Sequence, residues 1–170
     1  TKANIRDFKL IKSYFKVDGL SPVGSIVSNG CGTVEKVYSN AIITSNGENV
    51  GGIVGKANDD GTASAMAKTM KIINCWFDGS ITLTTKTGRY GGGIVGLVSG
   101  GTLTVSHCLN SADISSQSKE SNGVFVGGLF GALTYANYSG AVILEDSLNV
   151  GKVETLKTTA TGSIAGSKVS

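Results

Sequence analysis

Hydrophobic residues in this chain come in short bursts of four to eight, rich in Ile, Val, Thr and aromatics. Gly, Asn, Asp or Ser closes each burst. That is the pattern of short strands separated by turns. No stretch sustains a 3.6-residue period. Ile5, Phe8, Ile11 and Phe15 come nearest, and the repeat described next argues for strand there too. Gly-Gly at the head of several bursts also speaks against helix, because each glycine costs a helix interior about 1 kcal/mol relative to Ala.

The bursts repeat along the whole chain. Val50-Gly51-Gly52-Ile53-Val54-Gly55 returns as Gly91-Gly92-Gly93-Ile94-Val95-Gly96 and as Val126-Gly127-Gly128-Leu129-Phe130-Gly131. Weaker copies are Val23-Gly24-Ser25-Ile26-Val27-Ser28 and Thr161-Gly162-Ser163-Ile164-Ala165-Gly166. The second residue of each copy stands at 24, 51, 92, 127 and 162, so the steps are 27, 41, 35 and 35 residues. A second motif alternates with the first. Ile72-Ile73-Asn74-Cys75-Trp76-Phe77-Asp78-Gly79-Ser80-Ile81 aligns with Val105-Ser106-His107-Cys108-Leu109-Asn110-Ser111-Ala112-Asp113-Ile114. Looser copies run through 34–43 and 144–153, and residues 13–19 read as a fifth, degraded one. In the four better copies a small or sulfur-bearing residue precedes an aliphatic one by six positions: Val37/Ile43, Cys75/Ile81, Cys108/Ile114 and Ser147/Val153.

Short strands in a unit repeated every few dozen residues predict a solenoid. The expected fold is all-β: a right-handed parallel β-helix, with about three strands per coil and four to five coils, forming one domain over 1–170. In the third repeat the strands would be 92–99, 102–110 and 112–116, followed by a polar loop. Coils would stack at about 4.8 Å. The glycines Gly24, Gly51, Gly52, Gly92, Gly93, Gly127, Gly128 and Gly162 would let neighbouring backbones approach and would turn corners at positive φ. Length variation falls in loops such as 56–68 and 115–122.

The Val-Gly-Gly-Ile-Val-Gly block, paired with Ile-x-Asn-Cys-aromatic-x-x-Gly-x-Ile, resembles the GLUG repeat of bacterial surface proteins. That repeat is also found outside the catalytic domain of immunoglobulin-A-cleaving metallopeptidases and in adhesins. The resemblance covers about 10–166. It is closest over 72–96 and 103–131 and loose at both ends, where Ser stands for Gly at 25, 28 and 163. It implies an extracellular setting, at a bacterial cell surface or secreted, and a right-handed β-helix. It carries no catalytic, metal or cofactor residues to transfer.

Composition narrows the classes. Gly numbers 25, Pro one, and charged residues are 16% of the chain. So few charges do not mark a disordered chain, and the glycines do not follow the collagen period. A net charge of +3 gives no nucleic-acid footprint; Lys9, Lys12 and Lys16 read as a solvated face. No apolar run approaches the roughly 20 residues of a membrane helix, so no membrane insertion is expected. The chain opens at Thr1 without Met and shows no polar cap before Ser170. It is therefore expected to be a fragment of a longer protein that continues past Ser170.

The single histidine, His107, is followed by Cys108-Leu109-Asn110, so neither a His-Glu-x-x-His zinc helix nor a Ser-His-Asp relay can be assembled. It shares a slot with Lys36, Asn74 and Asp146, all polar, which fits a corner. Gly91-x-Gly93-x-x-Gly96 meets the dinucleotide fingerprint only on paper, since no helix follows it. Asp59, Asp60, Asp78, Asp113, Glu145 and Asp146 are the candidates for carbohydrate cleavage, but none align between neighbouring coils; Asn58-Asp59-Asp60-Gly61 reads as a turn. Cys75 and Cys108 share a position and should lie one coil apart, as inward thiols or, less readily, as a disulfide. Cys31 has no aligned partner. Thr82-Leu83-Thr84-Thr85 and Thr102-Leu103-Thr104 do not keep the spacing of an ice-binding row. Asn137-Tyr138-Ser139 is a glycosylation triplet without meaning in a bacterial protein.

One feature stands apart from repetition. Tyr14, Tyr38, Trp76, Leu109 and Leu148 each follow the Val/Cys/Ser slot. If the slot points inward they form an exposed column able to stack on sugars or pack on another domain; with opposite parity they are core. The expected function is a non-enzymatic structural or adhesive module, a rigid spacer or interaction surface. Its partners would be neighbouring domains of the parent protein, and a host protein or glycan. The alternative is a carbohydrate-binding or carbohydrate-cleaving β-helix.

Overall fold

The computed structural model describes residues 3–19, 21–59, 68–84, 89–119, 123–133, 141–156 and 160–167. These residues form a parallel β-solenoid of five coils, spanning 3–30, 32–57, 69–98, 102–132 and 141–167. Four parallel sheets run along the stack. Face A holds Ala3–Leu10, Gly32–Ser39, Thr69–Ile73 with Trp76–Phe77, Thr102–Ser106 with Leu109–Asn110, and Ala141–Glu145 with Leu148–Asn149. Face B holds Tyr14–Val17, Ile42–Ser45, Ser80–Leu83, Asp113–Ser116 and Val153–Thr155. Face C holds Val23–Gly24, Asn49–Gly51, Arg89–Gly92, Val124–Gly127 and Ala160–Gly162. Face D holds Val27–Gly30, Val54–Ala57, Val95–Val98, Phe130–Ala132 and Ala165–Ser167.

Like positions of successive coils lie over each other. Ile43, Ile81, Ile114 and Val153 are partners in face B, and Val34, Ile72, Val105 and Leu144 in face A. Ile53, Ile94, Leu129 and Ile164 are linked by backbone hydrogen bonds of 3.2, 3.0 and 2.9 Å across the corner between faces C and D. Inward side chains therefore stack aliphatic on aliphatic. Ile43, Ile53, Ile81, Ile94 and Leu129 are wholly buried, each burial stabilising by about 1.5–3 kcal/mol.

Each coil contributes strands to four faces rather than the expected three. Residues 92–99 do not form one strand. Gly92 ends a face C strand, the chain turns through Gly93 and Ile94, and Val95 begins face D. The corner is two residues long and lies inside an apolar run, so no polar break marks it in the sequence.

The glycines at this corner are needed for space. A Cβ on Gly51 would fall on the Val54 carbonyl oxygen and lie 2.7 Å from the Gly96 nitrogen of the next coil. Gly24, Gly92, Gly127 and Gly162 each meet the carbonyl oxygen three residues on in the same way. None of them has a positive φ, so the expectation that these glycines turn corners at positive φ is corrected. At Gly52, Gly93 and Gly128 a Cβ would strike Phe77, Asn110 and Asn149 respectively. Ser25 fits the equivalent place because small Ser39 lies opposite, and its hydroxyl donates to Ser39 Oγ at 2.8 Å.

The left-handed backbone sits elsewhere. Asp7, Lys36, Asn74, His107 and Asp146 occupy one column of face A with φ of 55, 53, 52, 54 and 43°. This is the polar slot seen in the sequence, and it is a bend within the face.

The first coil aligns differently from the expected fifth copy at 13–19. Phe8 pairs with Val37 and Leu10 with Ser39, whereas Tyr14 pairs with Ile42. Residues 11–13 connect faces A and B where coil two uses only 40–41. The extra residue hides the register in the sequence.

Candidate interaction surface

The slot Val37, Cys75 and Cys108 is buried, so the residue after it points outward. The resulting column on face A is Lys9, Tyr38, Trp76, Leu109 and Leu148. Tyr14 is not part of it. It is exposed on face B, one face away, paired with Ile42. Tyr38 and Trp76 meet edge to face with ring centroids 5.0 Å apart and planes 73° apart, a favoured aromatic geometry. Trp76 remains 41% exposed.

Polar groups at the neighbouring corner fix these rings. Trp76 Nε1 donates to Ser111 Oγ at 2.7 Å, Ser111 Oγ donates to Asp78 Oδ1 at 2.5 Å, and the Tyr38 hydroxyl donates to Asp78 Oδ2 at 3.1 Å. Partial burial, then the Asp78 carboxylate, hold the Tyr38 phenol above its usual pKa. A fixed aromatic edge beside an anchored carboxylate offers both a stacking surface and hydrogen-bond acceptors. Asp78 thus belongs with the aromatics.

A second aromatic pair was not anticipated. Tyr90 and Phe125 stack on face C with centroids 5.5 Å apart and planes 15° apart. They are register partners. The signal was available, since each immediately precedes its glycine block, but the glycines drew the alignment.

The remaining candidates disperse. Asp59 pairs with Lys56 at 2.5 Å. Asp113 Oδ1 accepts from the Lys152 backbone N–H at 3.0 Å, and Asp146 lies 3.6 Å from His107 Nε2. Asp60, Thr85 and the 137–139 triplet lie outside the described residues. Among the described residues no three His, Cys, Asp or Glu are gathered to hold a metal. No helix there is long and apolar enough to cross a membrane.

Cys75 and Cys108 are buried free thiols. Cys75 Sγ donates to Ile73 O at 3.3 Å and Val34 O at 3.6 Å, and Cys108 Sγ to Ser106 O at 3.3 Å and Ile72 O at 3.4 Å. The neighbouring Cys75 thiol, then burial, raises the Cys108 thiol above its usual pKa. Cys31 is also buried and free.

A groove of about 370 Å³ opens at the fifth coil, lined by Asn149, Gly151, Val153, Thr161, Gly162 and Ser163. Comparison with protein families, curated proteins and solved structures finds no match to this chain.

Proposed function

We propose that this chain is a non-enzymatic structural and adhesive module, a rigid spacer or interaction surface of a secreted or cell-surface bacterial protein of the GLUG-repeat type. The observation that carries this reading is where the repeated residues go. The glycine blocks, the Val/Cys slot and the aliphatic columns all serve coil-on-coil packing. A stack in which each layer is hydrogen-bonded to the next on several faces resists bending, which suits a spacer. Its partners would be neighbouring domains of the same polypeptide and a host protein.

A second reading, a carbohydrate-binding β-helix, is favoured by the Tyr38–Trp76 edge beside Asp78 and Ser111. Carbohydrate cleavage draws less support, since the acids are tied to different neighbours rather than paired. A glycan array comparing the native chain with Trp76→Ala separates the two readings. The spacer reading expects no Trp76-dependent signal; saturable binding abolished by Trp76→Ala would replace it with the second.

A further inference from the structure

The aromatic edge of face A, set in the inner coils of the stack, is poor in free donors and rich in acceptors. The polar hydrogens of both rings and of Ser111 are spent within the edge itself. Trp76 Nε1 donates to Ser111 Oγ, Ser111 Oγ to Asp78 Oδ1, and the Tyr38 hydroxyl to Asp78 Oδ2. The Asn40 side chain, at the same corner, also hydrogen-bonds the Tyr38 hydroxyl. With the Tyr38–Trp76 ring contact, the first three bonds close a circuit that converges on one carboxylate. Each Asp78 oxygen accepts one of them, and a carboxylate has about four lone-pair sites, so acceptor capacity remains. The ring faces carry the same sign, because an aromatic quadrupole is negative above and below its plane.

Asp78 has no cation of its own. It is exposed and enters no ion pair among the described residues. Lys9, in the Tyr38 column, and Lys152, beside face B, each stand two coils away from it, and Lys152 is paired with Glu154. Lys36 is exposed at the bend two residues before Tyr38. Asp113, also exposed, follows Ser111 by two residues and adds a second carboxylate near this corner. A sugar hydroxyl both donates and accepts, and on such an edge its acceptors would find few partners. A cationic side chain only donates. Of the two such side chains, arginine matches better: its planar guanidinium stacks on aromatic rings and presents paired N–H groups to a carboxylate, whereas lysine brings a point charge. Trp76 is 41% exposed, and its Nε1 edge lies two hydrogen bonds from the Asp78 carboxylate. One guanidinium resting on the indole therefore reaches Asp78.

We infer that the Tyr38–Trp76–Asp78 edge is a binding site for an arginine side chain of a protein partner, with the guanidinium stacked on Trp76 and hydrogen-bonded to Asp78. This rests on the functional reading above only in taking the partner to be a protein.

Trp76 is the only tryptophan of the chain, so its indole N–H gives one NMR signal that reports this edge alone. Titration with acetyl-arginine amide at constant ionic strength should move that signal saturably. Half-saturation is expected on the order of 10 mM, as suits an exposed cation–π contact joined by a charge-assisted hydrogen bond. Acetyl-lysine amide should need about threefold more, and acetyl-citrulline amide, the neutral isostere, about tenfold more. Asp78→Asn should weaken the arginine response about tenfold. Circular dichroism checks that this variant folds, and the citrulline comparison decides without it if it does not. Lysine or citrulline binding as tightly as arginine, Asp78→Asn without effect, or no saturable response to arginine would overturn the inference. A missing arginine response beside a blank glycan array leaves the spacer reading standing, whereas Trp76-dependent glycan binding removes that reading whatever arginine does.

Discussion

At the corner between faces C and D the chain turns on glycines that have no positive φ. At the bend inside face A it turns on Asp7, Lys36, Asn74, His107 and Asp146, all at φ of 43 to 55°. The usual association of glycine with left-handed backbone is reversed here. At the first corner the neighbouring coil lies against the Cα, so what matters is the missing Cβ. At the second the side chain points to solvent, so a left-handed L-residue is tolerated at a cost of order 1–2 kcal/mol. Asn and Asp bear that cost most easily. Lys36 has no such local advantage, and the stacked register on both sides holds it there.

Substitutions can break this contrast. The largest effect is expected from Gly51→Ala, whose Cβ would fall on backbone atoms of its own corner and the next coil. A loss of about 3 kcal/mol or more is expected by denaturant unfolding. Gly91→Ala, where the added carbon meets only the Leu83 side chain, should cost about 1 kcal/mol. Equal losses at both would mean that backbone crowding is not the cause. In the opposite direction, Lys36→Gly relieves a left-handed residue and should raise stability by up to about 1 kcal/mol. Destabilisation there would show that the Lys36 side chain contributes more than its backbone costs. The smallest change is expected at Gly30→Ala, where the nearest atom to an added Cβ is Val27 Cγ1 at 3.5 Å and φ is not positive. A gain of about 0.5 kcal/mol in the midpoint-derived stability is expected.

Much of the fold was legible because a solenoid writes each structural requirement several times. The glycine block, the Val/Cys slot and the aliphatic six residues later recur once per coil, and their alignment gives the stacking of Ile43, Ile81 and Ile114 directly. What escaped was whatever occurs without a polar marker or with a change of length. The corner at Gly93-Ile94 is embedded in apolar residues, so two strands read as one. In the first coil Phe8 and Lys9 hold the slot and the column place after it, so Tyr14 falls outside the column to which its sequence context assigned it. Of the candidate surface, Tyr38 and Trp76 were legible as column neighbours, with their outward direction left open by parity. Asp78 and Ser111 were not: both bonds keep the repeat, each ring reaching the residue two past its column partner in the next coil, but spacing alone does not show that these turn side chains face the rings. Tyr90 and Phe125 were hidden by the conspicuous glycines beside them.

The in-register stack is tested most directly by through-space proton contacts in an isotope-labelled sample. The account predicts a chain of side-chain contacts running Phe15, Ile43, Ile81, Ile114, Val153, and a second linking Tyr38, Trp76, Leu109 and Leu148, with Tyr14 beside Ile42. Contacts joining Tyr14 to Tyr38, or antiparallel contacts between strands adjacent in sequence, would contradict it.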